Sequence, residues 1–323
     1  MSFITTFAKV LATTALVSAG SAAMSADIAV IGGSNDDAFW NIIKKGIDDT
    51  TPMVEANGGS VNYLRLVNYD NFAPDVVQLI RTAISMEVDG LVIPNWVPEA
   101  QDPAIREAIA AGITVILMNA GGADKARELG AINYVGSDEY VAGLAGGEYF
   151  GKAGKRNVIC VNTLPGAANT EARCKGVIEG VVAAGGKGTQ LPLPTTSFGN
   201  PTAVAEAIKA ELIQDATVDG VITISAGDAD SAAIAVSQAG QATPAMLGSF
   251  DMNPAGLDRI KAGTQAFAID QQPYLQAYLA VSLLAAHINF GTDLPVFPVL
   301  TGPGIVDASN IDATLAGVKL GAR

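Results

Sequence analysis

Short apolar runs and longer amphipathic segments alternate along the chain from Asp27 onward. The first apolar run, residues 27–31, is too short for a helix and ends in a turn of small residues, Gly32-Gly33-Ser34. Apolar residues then recur at helical spacing from Phe39 to Val54. The pattern predicts a strand, a turn and an amphipathic helix, which together form a βα unit.

The same alternation continues along the chain with short connections. Strands are predicted over residues 60–67, 90–94, 113–119, 131–137, 157–162, 189–193, 220–225, 245–250 and 265–270. Helices are predicted over residues 74–87, 98–111, 167–184, 201–214, 229–239, 254–262 and 274–290. Prolines within residues 294–306 predict a connecting or edge segment there. Because repeated βαβ units give parallel sheets with helices on both faces, we expect an α/β fold.

The predicted elements form two sets with matching punctuation. The pair Gly58-Gly59 in the first set corresponds to Gly185-Gly186 in the second, 127 residues later. Similarly, Asp89-Gly90 opens the strand VDGLVI, and Asp219-Gly220 opens VDGVIT 130 residues later. This weak internal repeat predicts two similar, doubly wound parallel-sheet lobes.

Residues 1–26 precede the first βα unit and differ from it in composition. Lys9 is followed by an apolar run over residues 10–17 and then by small residues up to Ala26. This order is typical of a secretory signal peptide, with cleavage expected near Ala23 or Ala26. We therefore expect a soluble, exported mature chain, long enough for two domains of ordinary size.

Charge and cysteine content narrow the possible functions. The formal net charge is -13, from 19 Lys and Arg against 32 Asp and Glu, which argues against a nucleic-acid partner. Cys160 and Cys174 are the only cysteines. They are too few for a disulfide framework or a four-ligand zinc site, and either a single disulfide or two buried thiols is consistent with the sequence.

Signals for catalysis and cofactor binding are weak. His287 is the only histidine, lies in an apolar predicted helix and has no nucleophile motif near it. Gly32-Gly33 lacks the third glycine of a dinucleotide-binding turn, and no His, Cys and carboxylate cluster has metal-ligand spacing. We expect a protein that is not an enzyme and has no cofactor.

Polar residues gather directly after the predicted strands of both lobes. They are Asp37, Asn95, Asn119, Ser225, Asp228, Asp251 and Gln271. Each alone is explained by turn formation or helix capping, and Phe39 and Trp40 alone by entry into the core. Because ligands of open α/β sheets bind at the carboxyl ends of the strands, the set predicts one binding cleft. Hydrogen-bonding groups beside aromatic rings suit a polyhydroxylated ligand.

The chain resembles the periplasmic substrate-binding proteins of ABC importers for monosaccharides, the ribose- and galactose-binding group. The resemblance covers essentially the whole mature chain. It rests on an ordered set of motifs: DIAVIGGSNDDAFWNIIKKG, VDGLVIPN, VGSDEYVAG, EARCKGV, GSFDMNP and AIDQQP.

The resemblance implies roles for individual residues. Asp37, Phe39 and Trp40 match the hydrogen-bonding residue and two aromatics of the family's first turn, Arg173 matches its arginine clamp, and Phe198 its opposing aromatic. Asn119, Ser225 and Asp251 match further sugar contacts, and Gln271 matches the glutamine of the family's Q-x-P motif at the hinge. Gln271 and Asn95 are included in the expected ligand-binding set as strand-end residues. Asn119-Ala120 stands where ribose binders have Asp-Arg, and this difference weighs against ribose. In this set two carboxylates, Asp37 and Asp251, face one arginine, Arg173. This balance favours a neutral monosaccharide or polyol over an acidic sugar.

The resemblance also implies a hinge of three crossings, near Ser137, near Gln271 and within residues 297–302. The expected first lobe comprises residues 27–136 and 272–298, and the second comprises residues 137–271 and 299–323. In this family the closed, loaded protein docks on an ABC permease at the inner membrane from the periplasm, and a chemoreceptor is a further expected partner. The alternative function is a periplasmic sensor for a sugar-like signal such as a furanosyl autoinducer.

Overall fold

The computed structural model of the protein describes residues 25–35, 37–294 and 296–323. The predicted signal peptide lies almost entirely outside these residues. Within the described ranges, no helix combines the length and apolar character needed to cross a membrane.

The first βα unit forms as its sequence pattern predicts, with strand β1 over Asp27–Gly32 and helix α1 over Ala38–Glu55. Asp37 begins the helix, and its side chain accepts a hydrogen bond from the backbone N–H of Phe39. This bond satisfies one of the N–H groups that the first helical turn leaves free. Asp37 is thereby fixed at the carboxyl end of β1.

The first lobe continues with alternating strands and helices. They are β2 (Ser60–Arg65), α2 (Phe72–Ser85), β3 (Gly90–Ile93), α3 (Pro98–Ala110), β4 (Thr114–Met118), α4 (Gly122–Leu129) and β5 (Asn133–Ser137). Helix α4 was not predicted, because it is only eight residues long and mostly polar, so few apolar residues mark it.

The second lobe repeats the alternation. Its elements are α5 (Glu139–Lys152), β6 (Asn157–Asn162), α6 (Ala168–Ala183), β7 (Lys187–Pro192), a 3-10 turn (Thr195–Ser197), α7 (Pro201–Gln214), β8 (Gly220–Thr223), α8 (Ala226–Gln238), β9 (Met246–Phe250), α9 (Pro254–Ala262) and β10 (Phe267–Asp270). The chain then forms α10 (Pro273–Phe290), β11 (Val299–Gly302), β12 (Gly304–Asp307) and α11 (Ile311–Lys319).

The two sheets have the same strand order within the described residues. The first runs β11-β5-β4-β3-β1-β2 and the second β12-β10-β9-β8-β6-β7. Neighbouring strands are parallel except for the antiparallel pair β10 and β12. The order of each sheet reverses beside its first strand, β1 or β6, which is where such sheets bind ligands. The predicted α/β fold of two similar, doubly wound lobes is confirmed.

The chain passes between the two sheets in three places. Helix α5 packs on α6 of the second lobe, and α10 packs on α1 of the first. The third passage lies at Gly302-Pro303-Gly304, because β11 pairs with β5 whereas β12 pairs with β10. The last part of the second lobe was expected to start at residue 299, but the strand pairing places Val299–Gly302 in the first sheet. The prolines made this edge strand look like a linker.

The second lobe carries a disulfide that the sequence left open. Cys160 on β6 bonds to Cys174 on α6, with a Cα–Cα distance of 5.5 Å. The bond ties α6 to β6, the strand that precedes it in the chain. Arg173 precedes Cys174 directly, so the disulfide also fixes the part of α6 that carries this arginine.

Candidate ligand-binding site between the lobes

A cavity of about 360 Å³ lies between the lobes, at the carboxyl ends of strands from both sheets. Nine of the ten predicted site residues line it. They are Asp37, Phe39, Trp40, Asn119, Arg173, Phe198, Ser225, Asp251 and Gln271. The structure therefore brings together residues from positions 37 to 271 that were predicted from their position after strands or from the family resemblance.

Asn95 is the predicted residue that does not line the cavity. Its side-chain amide donates a hydrogen bond of 2.7 Å to Asp102 on α3, and its backbone N–H donates to Ala120. Asn95 joins the ends of β3 and β4, a structural role. The next residue, Trp96, lines the cavity instead.

Aromatic rings form one wall of the cavity. Phe39, Trp40, Tyr69, Phe72, Trp96 and Phe198 are linked by successive ring contacts, with centroids 4.8 to 5.3 Å apart. Tyr69, Phe72 and Trp96 were not predicted. Each lies after the end of β2 or β3. The reasoning from strand ends that identified Asp37 would therefore have identified them if it had been applied to aromatic residues. Flat rings of this kind suit the C–H faces of a sugar ring.

Asp37 lies at the edge of this aromatic wall. One carboxyl oxygen caps α1, and the other accepts a hydrogen bond of 3.0 Å from the Tyr69 hydroxyl. Burial raises the pKa of Asp37, while the bonds from Tyr69 and Phe39 act in the opposite direction. Asp37 thus caps the helix and also lines the cavity. Helix capping and a place in the binding site, which the sequence left open as alternatives, are both true of this residue.

A polar network lies beside the hinge. Gln271 donates through its side-chain amide to Asp251, and the amide of Asn119 donates to Gln276 at 3.2 Å. Asn119 and Asp251 both adopt positive φ angles, 66° and 63°, directly after β4 and β9. Burial raises the pKa of Asp251 to about 7, against the lowering effects of Arg173 and Gln271.

Arg173 enters the cavity from α6 and is held by groups of its own lobe. Its Nε donates to Glu139 at 2.6 Å, and its Nη1 donates to the backbone oxygen of Ile224 at 2.9 Å. The guanidinium also lies 4.7 Å from the ring centroid of Phe250. Glu139, which was not predicted, is buried, and burial raises the pKa of its carboxyl against the effect of Arg173. These contacts fix the orientation of Arg173 before any ligand arrives.

Two further polar residues belong to this site: Asp228, which was predicted only as a strand-end residue, and Asn169, which was not predicted. Asp228 accepts a hydrogen bond of 2.8 Å from the Thr163 hydroxyl, and burial raises its pKa to about 6. Ser225 begins α8 by accepting from the backbone N–H of Asp228. Asn169 lies four residues before Arg173 on α6, and its side-chain oxygen is buried with no hydrogen-bond partner among the described residues. All three side chains line the cavity.

The lobes touch through segments other than the three crossings. The backbone N–H of Ala168 donates to the oxygen of Trp96 at 2.7 Å, and the rings of Tyr69 and Phe198 meet edge to face. In each of these two pairs, one residue belongs to the first lobe and the other to the second. The structure is therefore a closed arrangement. Within the described residues, no group of three or more His, Cys, Asp or Glu has the geometry to hold a metal ion.

Comparisons with known proteins agree with this geometry. A family model of the periplasmic binding protein domain matches residues 28–293. The xylose/arabinose-binding protein XylF of Sulfolobus acidocaldarius is 28% identical over 305 residues, covering 86% of this chain and 70% of that protein.

Two solved structures extend the comparison. A carbohydrate transporter of Acidothermus cellulolyticus in complex with myo-inositol is 34% identical, with a TM-score of 0.83, covering 92% of this chain and 99% of that one. An ABC transporter solute-binding protein of Agrobacterium vitis with bound D-fucose has a TM-score of 0.78 at 22% identity, covering 90% and 99%, and shares the fold. The chain belongs to the periplasmic binding protein family.

Proposed function

We propose that the protein captures a neutral monosaccharide or polyol between its lobes and delivers it to an ABC permease. The observation that carries this proposal is the closed cavity itself, in which an aromatic wall faces convergent polar groups from both lobes. Hydroxyl groups need hydrogen-bond partners, and the C–H faces of a sugar or cyclitol need flat apolar surface.

Closure follows from contacts that only the closed form provides. Asp37 and Trp40 belong to the first lobe, whereas Arg173 and Asp251 belong to the second. A ligand that contacts both sets binds the closed form more tightly than the open form, and this difference in affinity shifts the population towards closure.

The relatives support the ligand class. The relative of 34% identity was solved with myo-inositol, a neutral cyclic polyol, and the curated relative is described as a xylose/arabinose-binding protein. The cavity adds a physical reason, since its carboxylates accept hydrogen bonds from hydroxyls and would repel an acidic sugar.

The proposed location is the periplasm, reached through the signal peptide predicted over residues 1–26. The proposed partner is an inner-membrane permease, and a periplasmic sensor protein is the alternative. Binding of the sugar-loaded protein to each purified candidate partner, compared with the sugar-free protein, would separate these two functions.

A ligand screen tests the proposal. Because a ligand that binds only the folded state raises the melting temperature, the mature protein is screened by thermal shift against pentoses, hexoses, deoxysugars, inositols and linear polyols. Sugar acids, amino acids and nucleosides serve as controls. We expect a shift with one or a few neutral sugars or polyols and no turnover of that ligand. Shifts only from a control class would contradict the proposal.

A further inference from the structure

The cavity has more carboxyl groups than its cations can balance. Asp37, Asp228 and Asp251 all line it, and none of them forms an ion pair within the described part of the chain. These carboxyl groups act on one another, because the charge of Asp37 contributes to raising the pKa of both Asp228 and Asp251, after the larger effect of burial.

The two arginines that line the cavity are already engaged. Arg173 is paired with Glu139 at 2.6 Å, and both side chains are at most 6% exposed. Arg323 is paired at 2.7 Å with Asp270, which is 1% exposed. Each guanidinium therefore offsets the charge of one further buried carboxylate. Arg173 lowers the pKa of Asp251 through space, but it cannot neutralise three aspartates as well as Glu139.

A buried side-chain oxygen in the same cavity also favours a ligand that is rich in hydrogen-bond donors. Asn169 lines the cavity, and its buried side-chain oxygen has no hydrogen-bond partner in the part of the chain that the structure describes. A buried polar atom without a partner is costly, so this oxygen indicates a donor on the ligand. The cavity thus combines an excess of acceptors with an excess of negative charge. A neutral sugar supplies donors but no positive charge.

We propose that the cavity binds an amino-substituted sugar or aminocyclitol, carrying a protonated amine, more tightly than the corresponding neutral ring. An ammonium group donates three hydrogen bonds and brings the positive charge that the three aspartates lack. The faces of Trp40 and Trp96, whose centroids lie 5.3 Å apart, provide further surface that attracts a cation. This inference rests on the proposed function, since it concerns the same cavity and the same closure.

The test compares matched ligands that differ in one group. By isothermal titration at pH 7.5, D-glucosamine is compared with D-glucose and N-acetyl-D-glucosamine, D-galactosamine with D-galactose, and an inosamine with myo-inositol. In the set whose neutral ring binds, we expect the amine to bind at least about tenfold more tightly than the hydroxyl parent. Where the N-acetyl compound is available, it is expected to lose this gain, because it has no charge.

The outcomes separate the inference from the proposed function. If a neutral ring binds and its amine binds equally or more weakly, the inference is overturned and the proposed function stands. That result would mean that protonation of the aspartates already removes the excess charge. If an amine binds where no neutral ring does, the proposed ligand class is wrong and the inference stands. If no amine and no neutral ring binds, both are overturned.

A pair of variants locates the effect. Asp228→Asn removes one of the three unpaired charges, so the ratio of amine to parent affinity is expected to fall several-fold. Asp258→Asn, at an exposed position of α9, makes the same change in net charge outside the cavity and should leave the ratio unchanged. An unchanged ratio in Asp228→Asn would show that this carboxylate does not select the amine.

Discussion

Asp251 shows how one residue joins strand end, cavity and hinge. It follows β9 with a φ of 63° and accepts a hydrogen bond from Gln271, the residue at the crossing into α10. Its carboxyl lines the cavity of the closed arrangement, where burial raises its pKa to about 7. The cost of charging this group in the folded protein should therefore appear in the stability of the ligand-free protein.

The stability of the ligand-free protein should fall as pH rises from about 4 to about 7, in part because of Asp251. In this window the unfolded chain loses the proton of Asp251, whose ordinary pKa is 3.8, whereas the folded protein retains it. Asp251→Asn removes this difference, so the decline should be shallower by up to about 1.4 kcal/mol per pH unit. Asp228 keeps its own raised pKa, so some decline should persist.

Urea unfolding of the ligand-free protein at several pH values between 4.5 and 7.5 measures this slope. Asp258→Asn, which changes an exposed carboxyl, is the matched control and should follow the unmodified protein. If the slope of Asp251→Asn matches that of the control, Asp251 is already ionised in the folded state across this range.

At the same scale, reasoning from strand ends predicted cavity residues well where the chain leaves a strand directly towards the ligand. It failed for Asn95, whose amide bonds to Asp102 seven residues later, a contact that depends on how β3 and α3 pack. It also missed Glu139, the partner of Arg173, because the two residues lie on different helices. Contacts between elements are not visible in the local pattern on which the prediction depended.

At the scale of elements, the pair α5 and α6 depends on glycines at its interface. A Cβ atom at Gly143 would lie well under 3.0 Å from the backbone oxygen of Arg173, and one at Gly176 would meet the backbone of α5. The two helices therefore approach each other closely, and backbone atoms cannot move aside as a side chain can. Since α6 carries Asn169 and Arg173, this packing also positions the cavity.

Gly143→Ala should destabilise the protein by about 1 to 3 kcal/mol, because the added methyl group forces the two helices apart. Thermal or urea unfolding measures the change. Gly227→Ala is the matched control: a Cβ there meets nothing within 4 Å, and the higher helix propensity of alanine should keep or raise stability. Equal stability of Gly143→Ala and the unmodified protein would contradict the close packing described here.

The elements themselves were largely predictable because most strands are short apolar runs and most helices are longer segments between turns. The exceptions share a physical cause. Helix α4 is short and polar, and α5 has four glycines among its 14 residues. Helix α11 follows the proline-rich passage near the end of the sequence, and β11 is an edge strand with prolines on either side. In each case the stabilising contacts come from neighbouring elements, so the local sequence carries a weak signal.

At the scale of the whole molecule, the repeat of glycine and Asp-Gly positions predicted two similar lobes, and the identical strand orders confirm them. The closed arrangement was not visible in the sequence. It depends on contacts between segments far apart in the chain, such as Ala168 with Trp96 and Phe198 with Tyr69. These contacts form only after each lobe has folded and the hinge has closed.

The contact between Phe198 and Tyr69 provides a test of closure. Phe198 follows the 3-10 turn of the second lobe, and its ring centroid lies 4.8 Å from that of Tyr69 in the first. An aromatic pair of this kind contributes about 0.5 to 1.5 kcal/mol beyond the area that it buries. Because the pair exists only in the closed form, Phe198→Ala should weaken binding of the sugar identified by the screen by roughly 2- to 13-fold.

Most of that loss should appear as faster dissociation, since opening of the lobes releases the ligand. Stopped-flow fluorescence can follow it, because both tryptophans of the chain, Trp40 and Trp96, line the cavity and should respond to closure. Phe290→Ala is the matched control, as this ring is 66% exposed at the end of α10. A dissociation rate in Phe198→Ala equal to that of the control would mean that the ligand, and not the contact between the lobes, holds the closed form together.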